Sequence, residues 1–160
     1  NHKKILEEYI KNGCKGDLDL SYSDIEYLPD NLTVNGNLNL EGCTNLTSLP
    51  DNLTVGEILS LGGCTSLTSL PDNLTVGKHL GLWDCTNLTS LPDNLTVGGC
   101  LDLRGNNIKT LSPSLIVKGD VYVDETFNIN PYRKEVLLAK ALSDEPIPMI
   151  EGELIIKWIK

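Results

Sequence analysis

The stretch Leu49-Pro50-Asp51-Asn52-Leu53-Thr54-Val55 runs on through Gly56-Glu57-Ile58-Leu59-Ser60-Leu61-Gly62-Gly63-Cys64-Thr65-Ser66-Leu67-Thr68-Ser69 and then begins again. Its first seven residues occur verbatim four times, from Leu28, Leu49, Leu70 and Leu91, always 21 residues apart. Identity at a fixed period points to a stack of equivalent coils, because each coil packs only on its neighbours. Positions where the copies agree are dictated by the stack. Positions where they differ are open to function.

Aligned on the Leu-x-Leu after each Thr-Val, the copies pair Leu18 with Leu20, Leu38 with Leu40, Leu59 with Leu61, Leu80 with Leu82, Leu101 with Leu103 and, in a worn form, Val121 with Val123. That alternation predicts a short strand with every second side chain buried. Stacked coils then make a parallel sheet of rungs ~4.8 Å apart. Three residues after the second Leu stands Ser23, Cys43, Cys64, Cys85, Asn106 and then Thr126, a ladder of small polar or thiol side chains suited to satisfying backbone groups where the chain leaves the sheet. The return path, Thr-Ser-Leu-Pro-Asp-Asn-Leu-Thr-Val, has no room for a helix. Pro50, Pro71 and Pro92 favour extended geometry, Asp-Asn supplies a turn, and Leu49, Leu53 and Val55 point to the core.

On these residues the chain resembles, over about residues 16 to 129, the leucine-rich repeat family, whose consensus is Leu-x-x-Leu-x-Leu-x-x-Asn-x-Leu or its Cys-x-x-Leu variant. The short Leu-Pro coil is similar to bacterial-type repeats, such as the recognition domains of secreted ubiquitin-ligase effectors, and departs from them in its Thr-Val-Gly segment. The resemblance implies an α/β repeat solenoid, mostly β: an arc with a parallel concave sheet, an extended convex side and helical caps at both ends. Residues 1–15 read as the N-terminal cap, a helix from His2 to Asn12 with Ile5, Leu6, Tyr9 and Ile10 on one face and Gly13 as its stop. Residues 16–129 are the repeats, five full coils and a degenerate sixth. Residues 130–160 are the C-terminal cap, with a helix over 131–142 started by Asn130-Pro131 and a terminal strand from Glu153 to Lys160.

The 160-residue chain has a formal net charge of −9 and a pI near 4.6, which argues against nucleic acid and anionic membrane as partners. It has no apolar run near the ~18 residues of a membrane span. Five cysteines at repeat spacing do not resemble a secreted disulfide framework. The expected setting is therefore a reducing cytoplasm, with a secreted effector delivered to a host cytosol as the other reading. Six Asn-Leu-Thr triplets match a glycosylation pattern but are by-products of the repeat.

Chemistry has few candidates. Cys43, Cys64 and Cys85 form a row, yet no His or acid repeats beside them to complete a zinc site, so no metal and no cofactor are expected. Cys100-Leu101-Asp102 has the Cys-x-Asp form that the ligase effectors use for catalysis, but only His79 could serve as its base. The acidic strand positions lack the convergence that calcium needs and read as a solvated face.

The clearer signal is divergence confined to the outward strand positions. There the chain collects Ile58, His79, Gly81, Trp83, Asp102, Arg104 and Tyr122 amid copied sequence. Trp, Tyr and Arg are the residues enriched at interaction hot spots, and Gly81 leaves a depression beside Trp83. The expectation is a non-catalytic protein–protein interaction module, monomeric, binding a partner protein through the concave face. Three alternatives stand beside it: the substrate-recognition part of a larger bacterial effector enzyme, a structural module self-associating through residues 153–160, and, on Trp83 alone, a carbohydrate binder.

Overall fold

A computed structural model describes residues 2–112, 114–124 and 127, together with the backbone of two strands at Met149–Ile150 and Glu153–Lys157. Each Leu-x-Leu contributes one rung to a first sheet: β1 (Leu18–Asp19), β3 (Leu38–Asn39), β5 (Leu59–Ser60), β7 (Leu80–Gly81), β9 (Leu101–Asp102) and β11 (Asp120–Asp124). These rungs are parallel, with Leu18, Leu38, Leu59, Leu80, Leu101 and Val121 in one register line. The molecule is a mostly-β parallel solenoid of about five turns, and α1 (His2–Lys11) is the single helix among the described residues.

The return path holds a second parallel sheet that the sequence reading treated as merely extended. It is built from the Thr-Val pairs: β2 (Thr33–Val34), β4 (Thr54–Val55), β6 (Thr75–Val76), β8 (Thr96–Val97) and β10 (Ile116–Val117). Both residues of each pair are β-branched and favour the extended backbone. The valines point inward and are buried. Facing them are the leucines of the first sheet, so the core is a column of aliphatic layers, one per coil, joined by Leu46, Leu67 and Leu88 from the turn.

Two local features hold the coil period. Asn31, Asn52 and Asn94 have left-handed φ values of 57°, 58° and 61°, which Asn accepts more readily than most residues, so Asp-Asn turns the chain into the second sheet. After Thr54-Val55, Thr75-Val76 and Thr96-Val97 comes a column of glycines, Gly56, Gly77 and Gly98. A Cβ on Gly77 would collide with the carbonyl oxygen of Gly56, and one on Gly98 with that of Gly77. Neighbouring coils approach too closely there for any side chain, and the backbone uses that closeness: Gly77 N–H donates to Val55 O at 2.9 Å.

The N-terminal end is tied down by Tyr9, whose hydroxyl lies 2.9 Å from the Cys14 carbonyl and 3.0 Å from that of Gly16. Gly13 and Cys14, both with positive φ, stop the helix, and Cys14 N–H returns to Tyr9 O. At the other end β13 (Glu153–Lys157) adds antiparallel to β11, and β12 (Met149–Ile150) pairs with Glu153 and Leu154 of β13. The expected helix over 131–142 and the ladder position Thr126 lie outside the described residues.

Candidate functional site

The outward positions of the first sheet form three columns. The first runs Asp17, Asn37, Ile58, His79, Cys100, Asp120; the second Asp19, Asn39, Ser60, Gly81, Asp102, Tyr122; the third Ser21, Glu41, Gly62, Trp83, Arg104, Asp124. The first column is a hydrogen-bond ladder that spacing alone did not disclose. Asn37 N–H donates to Asp17 Oδ1 at 2.7 Å, Ile58 N–H to Asn37 Oδ1 at 3.0 Å, and Cys100 N–H to His79 Nδ1 at 2.8 Å. Asp120 N–H points at Cys100 Sγ, 3.4 Å away. Each side chain accepts the strand-entry N–H of the next coil, a group the sheet itself leaves unpaired. Only Ile58 lacks an acceptor.

The second column works within a coil. Asp19, Asn39 and Asp102 accept the N–H of Ser21, Glu41 and Arg104, two residues on, at 3.0 to 3.1 Å. The Ser21 N–H holds the Asp19 carboxyl below its ordinary value. Ser60 and Gly81 make no such bond, so the middle of the face is smoother and less polar than its two ends.

That middle holds the candidate site. Trp83 is half-buried rather than free, because its indole occupies the space that a side chain on Gly62, one coil back, would need. Beside it Gly81 is open: a Cβ there would meet nothing closer than 3.9 Å, the nearest atoms being Leu59 O, Ser60 Cα and Trp83 Cδ1. The result is a shallow notch floored by Gly81, walled by Trp83 and edged by the half-buried Ser60. His79, at the entry of the same coil, is exposed but has its Nδ1 committed to the Cys100 backbone.

One coil on, Arg104 is folded against its own surface. Its guanidinium grips Asp102 through Nε to Oδ1 at 2.9 Å and a second nitrogen to Oδ2 at 2.6 Å, and it lies 5.6 Å from the centroid of the Tyr122 ring. The structure thus gathers Asp102, Arg104 and Tyr122 into one cluster and sets Gly81 beside Trp83, while Ile58 stands one coil back in the first column. His79 belongs to the backbone ladder between them.

The inner ladder is a row of thiols bonded to carbonyls. Cys43, Cys64 and Cys85 donate Sγ–H to Leu20, Leu40 and Leu61 O, each at 3.1 Å, and Ser23 Oγ lies 3.4 Å from Cys43 Sγ. Burial pushes the Cys64 thiol up to about 12, with the neighbouring thiols adding to it, and the Cys85 thiol to about 11. Thiols held in the neutral form are poor nucleophiles and poor metal ligands. Asn106 takes the same place in the next coil; its Oδ1 accepts Ile108 N–H, while its Nδ2 has no partner among the described residues.

Cys100 is half-buried, and its recorded bond to the coil of His79 runs from its backbone, not its thiol. No group of three or more His, Cys, Asp or Glu among the described residues is placed to hold a metal ion. No described helix is long and apolar enough to cross a membrane. The Gly62 seat under Trp83 and the acceptor roles of Asp17 and Asn37 escaped the sequence reading, because each partner lies a full coil away along the chain. No family model, curated protein or solved structure matches this chain.

Proposed function

We propose that the chain is a non-catalytic binding module of leucine-rich-repeat type, which takes a partner protein on the outer face of the first sheet, with Trp83 and the Gly81 notch as the anchor. The single observation that carries this reading is the change of character at coils three and four. In coils one, two and five the second column is filled by Asp19, Asn39 and Asp102, each closed on its own backbone; here it is emptied to Ser60 and Gly81, and an indole is laid beside the gap. An aromatic wall next to an open glycine offers apolar area with little conformational entropy to lose on binding, which is what a hot spot requires. Ile58, one coil back in the first column, is a flanking contact in this reading, and the Asp102–Arg104–Tyr122 cluster supplies a pre-formed polar edge. The 21-residue period, the Leu-x-Leu rungs and the Cys or Asn at the turn support the family assignment.

The test is affinity capture from lysate, quantified by mass spectrometry, with the parent chain beside Trp83→Ala and Gly81→Leu. A protein retained by the parent and lost from both variants supports the reading. Captured profiles that neither variant alters overturn it.

A further inference from the structure

The face of the first sheet is not the only surface shaped to receive something. Between α1 and the first coil lies a trough of about 570 Å³ whose floor is Leu6, Ile10, Ile25, Tyr27 and Pro29. Ile10 is 43% exposed and Tyr27 is 75% exposed, so apolar area is left open to water there. Tyr27 and Pro29 also line a second trough, of about 430 Å³, that continues onto the Leu49-Pro50 segment of the next coil. Together the two make one path from the helix across two coils.

The rim of that path is acidic. Glu7, Asp24 and Glu26 border the first trough, Asp30 and Asp51 the second, and Lys3 is the one basic residue lining either. None of the five carboxylates makes an ion pair among the described residues, where the pairs are Lys4–Glu8, Lys78–Glu57 and Arg104–Asp102.

The internal copies isolate what is special here. Glu26 and Tyr27 stand where the next three coils carry Thr47-Ser48, Thr68-Ser69 and Thr89-Ser90. The repeat fold accepts Thr-Ser at this place three times over, so neither the acid nor the ring is required by the stack.

We infer that this trough is a second docking site, separate from the Trp83 face, for an extended segment of another protein that alternates apolar side chains with Lys or Arg. The apolar floor takes the anchors and the unpaired carboxylates take the cations. Nucleic acid and anionic lipid are disfavoured by the same five carboxylates.

The experiment uses the whole chain and a fluorescein-labelled octapeptide of alternating Lys and Leu, read by anisotropy. Alternating Glu/Leu and alternating Lys/Ser octapeptides are the controls. The Lys/Leu peptide is expected to bind and both controls to fail. Glu26→Thr/Tyr27→Ser, which installs the residues of the other coils, should weaken binding at least about tenfold, the equivalent of ~1.4 kcal/mol. Trp83→Ala should leave it unchanged, so loss of the first-sheet reading and loss of this one are distinguishable. Absence of binding at millimolar peptide, equal binding of either control, or indifference to the double substitution would each overturn the proposal. The last outcome identifies binding as a diffuse effect of the −9 net charge.

Discussion

The indole of Trp83 and the bare α-carbon of Gly62 are a matched pair on adjacent coils: the ring fills the space above the glycine, and a Cβ on Gly62 would run into its Nε1–Cε2–Cζ2 edge. Gly81, on the same face, has no such neighbour within 3.9 Å. The two glycines therefore answer differently to the same substitution. Gly62→Ala should evict the indole and cost about 1–3 kcal/mol as an overpacked contact. Gly81→Ala should change stability by no more than about 1 kcal/mol. Tryptophan emission in a Trp158→Phe background, with denaturant unfolding of each variant, checks both; a shifted emission maximum is expected for Gly62→Ala alone.

His79 has a structural duty, because its Nδ1 receives the Cys100 N–H. His79→Ala removes that acceptor and should cost about 1 kcal/mol. His79→Asn should restore most of the loss, since Asn37 plays the same part for Ile58. Urea midpoints of the three proteins decide it: no loss for Ala, or equal loss for Ala and Asn, would mean that the acceptor role of His79 does not account for its contribution.

The buried thiols set a sign for alkaline stability. Their folded values, about 12 for Cys64 and about 11 for Cys85, lie above the ordinary 9.0, so the folded chain holds its protons longer than the unfolded one. Their contribution is fully present below pH 9 and is lost as pH rises through 11 and 12. Unfolding midpoints measured from pH 7 to 11 should fall more steeply for the parent than for Cys64→Ser/Cys85→Ser. Thiol labelling offers a second reading: Cys14 and Cys100 should react in the folded protein, and Cys43, Cys64 and Cys85 only after unfolding.

The glycine column should be the least forgiving part of the repeat. Gly77→Ala places a methyl group against the Gly56 carbonyl, which is backbone and has no rotamer to yield. A loss of about 2 kcal/mol or more is expected from thermal or chemical unfolding. Thr75→Ser, two residues earlier on the exposed side of β6, serves as the control and should stay within about 0.5 kcal/mol.

How much of this was legible from the sequence depends on distance along the chain. The rungs at Leu18, Leu38, Leu59, Leu80 and Leu101 were plain, because burial on a strand imprints a local alternation. The Thr-Val pairs were read as extended but not as a sheet: two residues are too short to display a period, and their pairing with the next coil is visible only once the coils are stacked. Trp83 was found by its oddness and placed on the correct face. Its half-burial was missed because the cause, Gly62, is 21 residues away. The acceptor roles of Asp17, Asn37 and His79 were hidden for the same reason, since each serves a backbone group 20 or 21 residues on.

The contact between Gly56, Gly77 and Gly98 also bears on how such a chain changes over generations. Each of these glycines meets only the carbonyl of the coil before it, so a coil excised or duplicated between any two of them finds a neighbour of identical chemistry. Unequal recombination among such tandem copies would lengthen or shorten the molecule in steps of 21 residues. The outward residues travel with the coil that carries them. New surface would then come from reshuffling whole coils, with the glycine column as the joint that lets any two of them be joined.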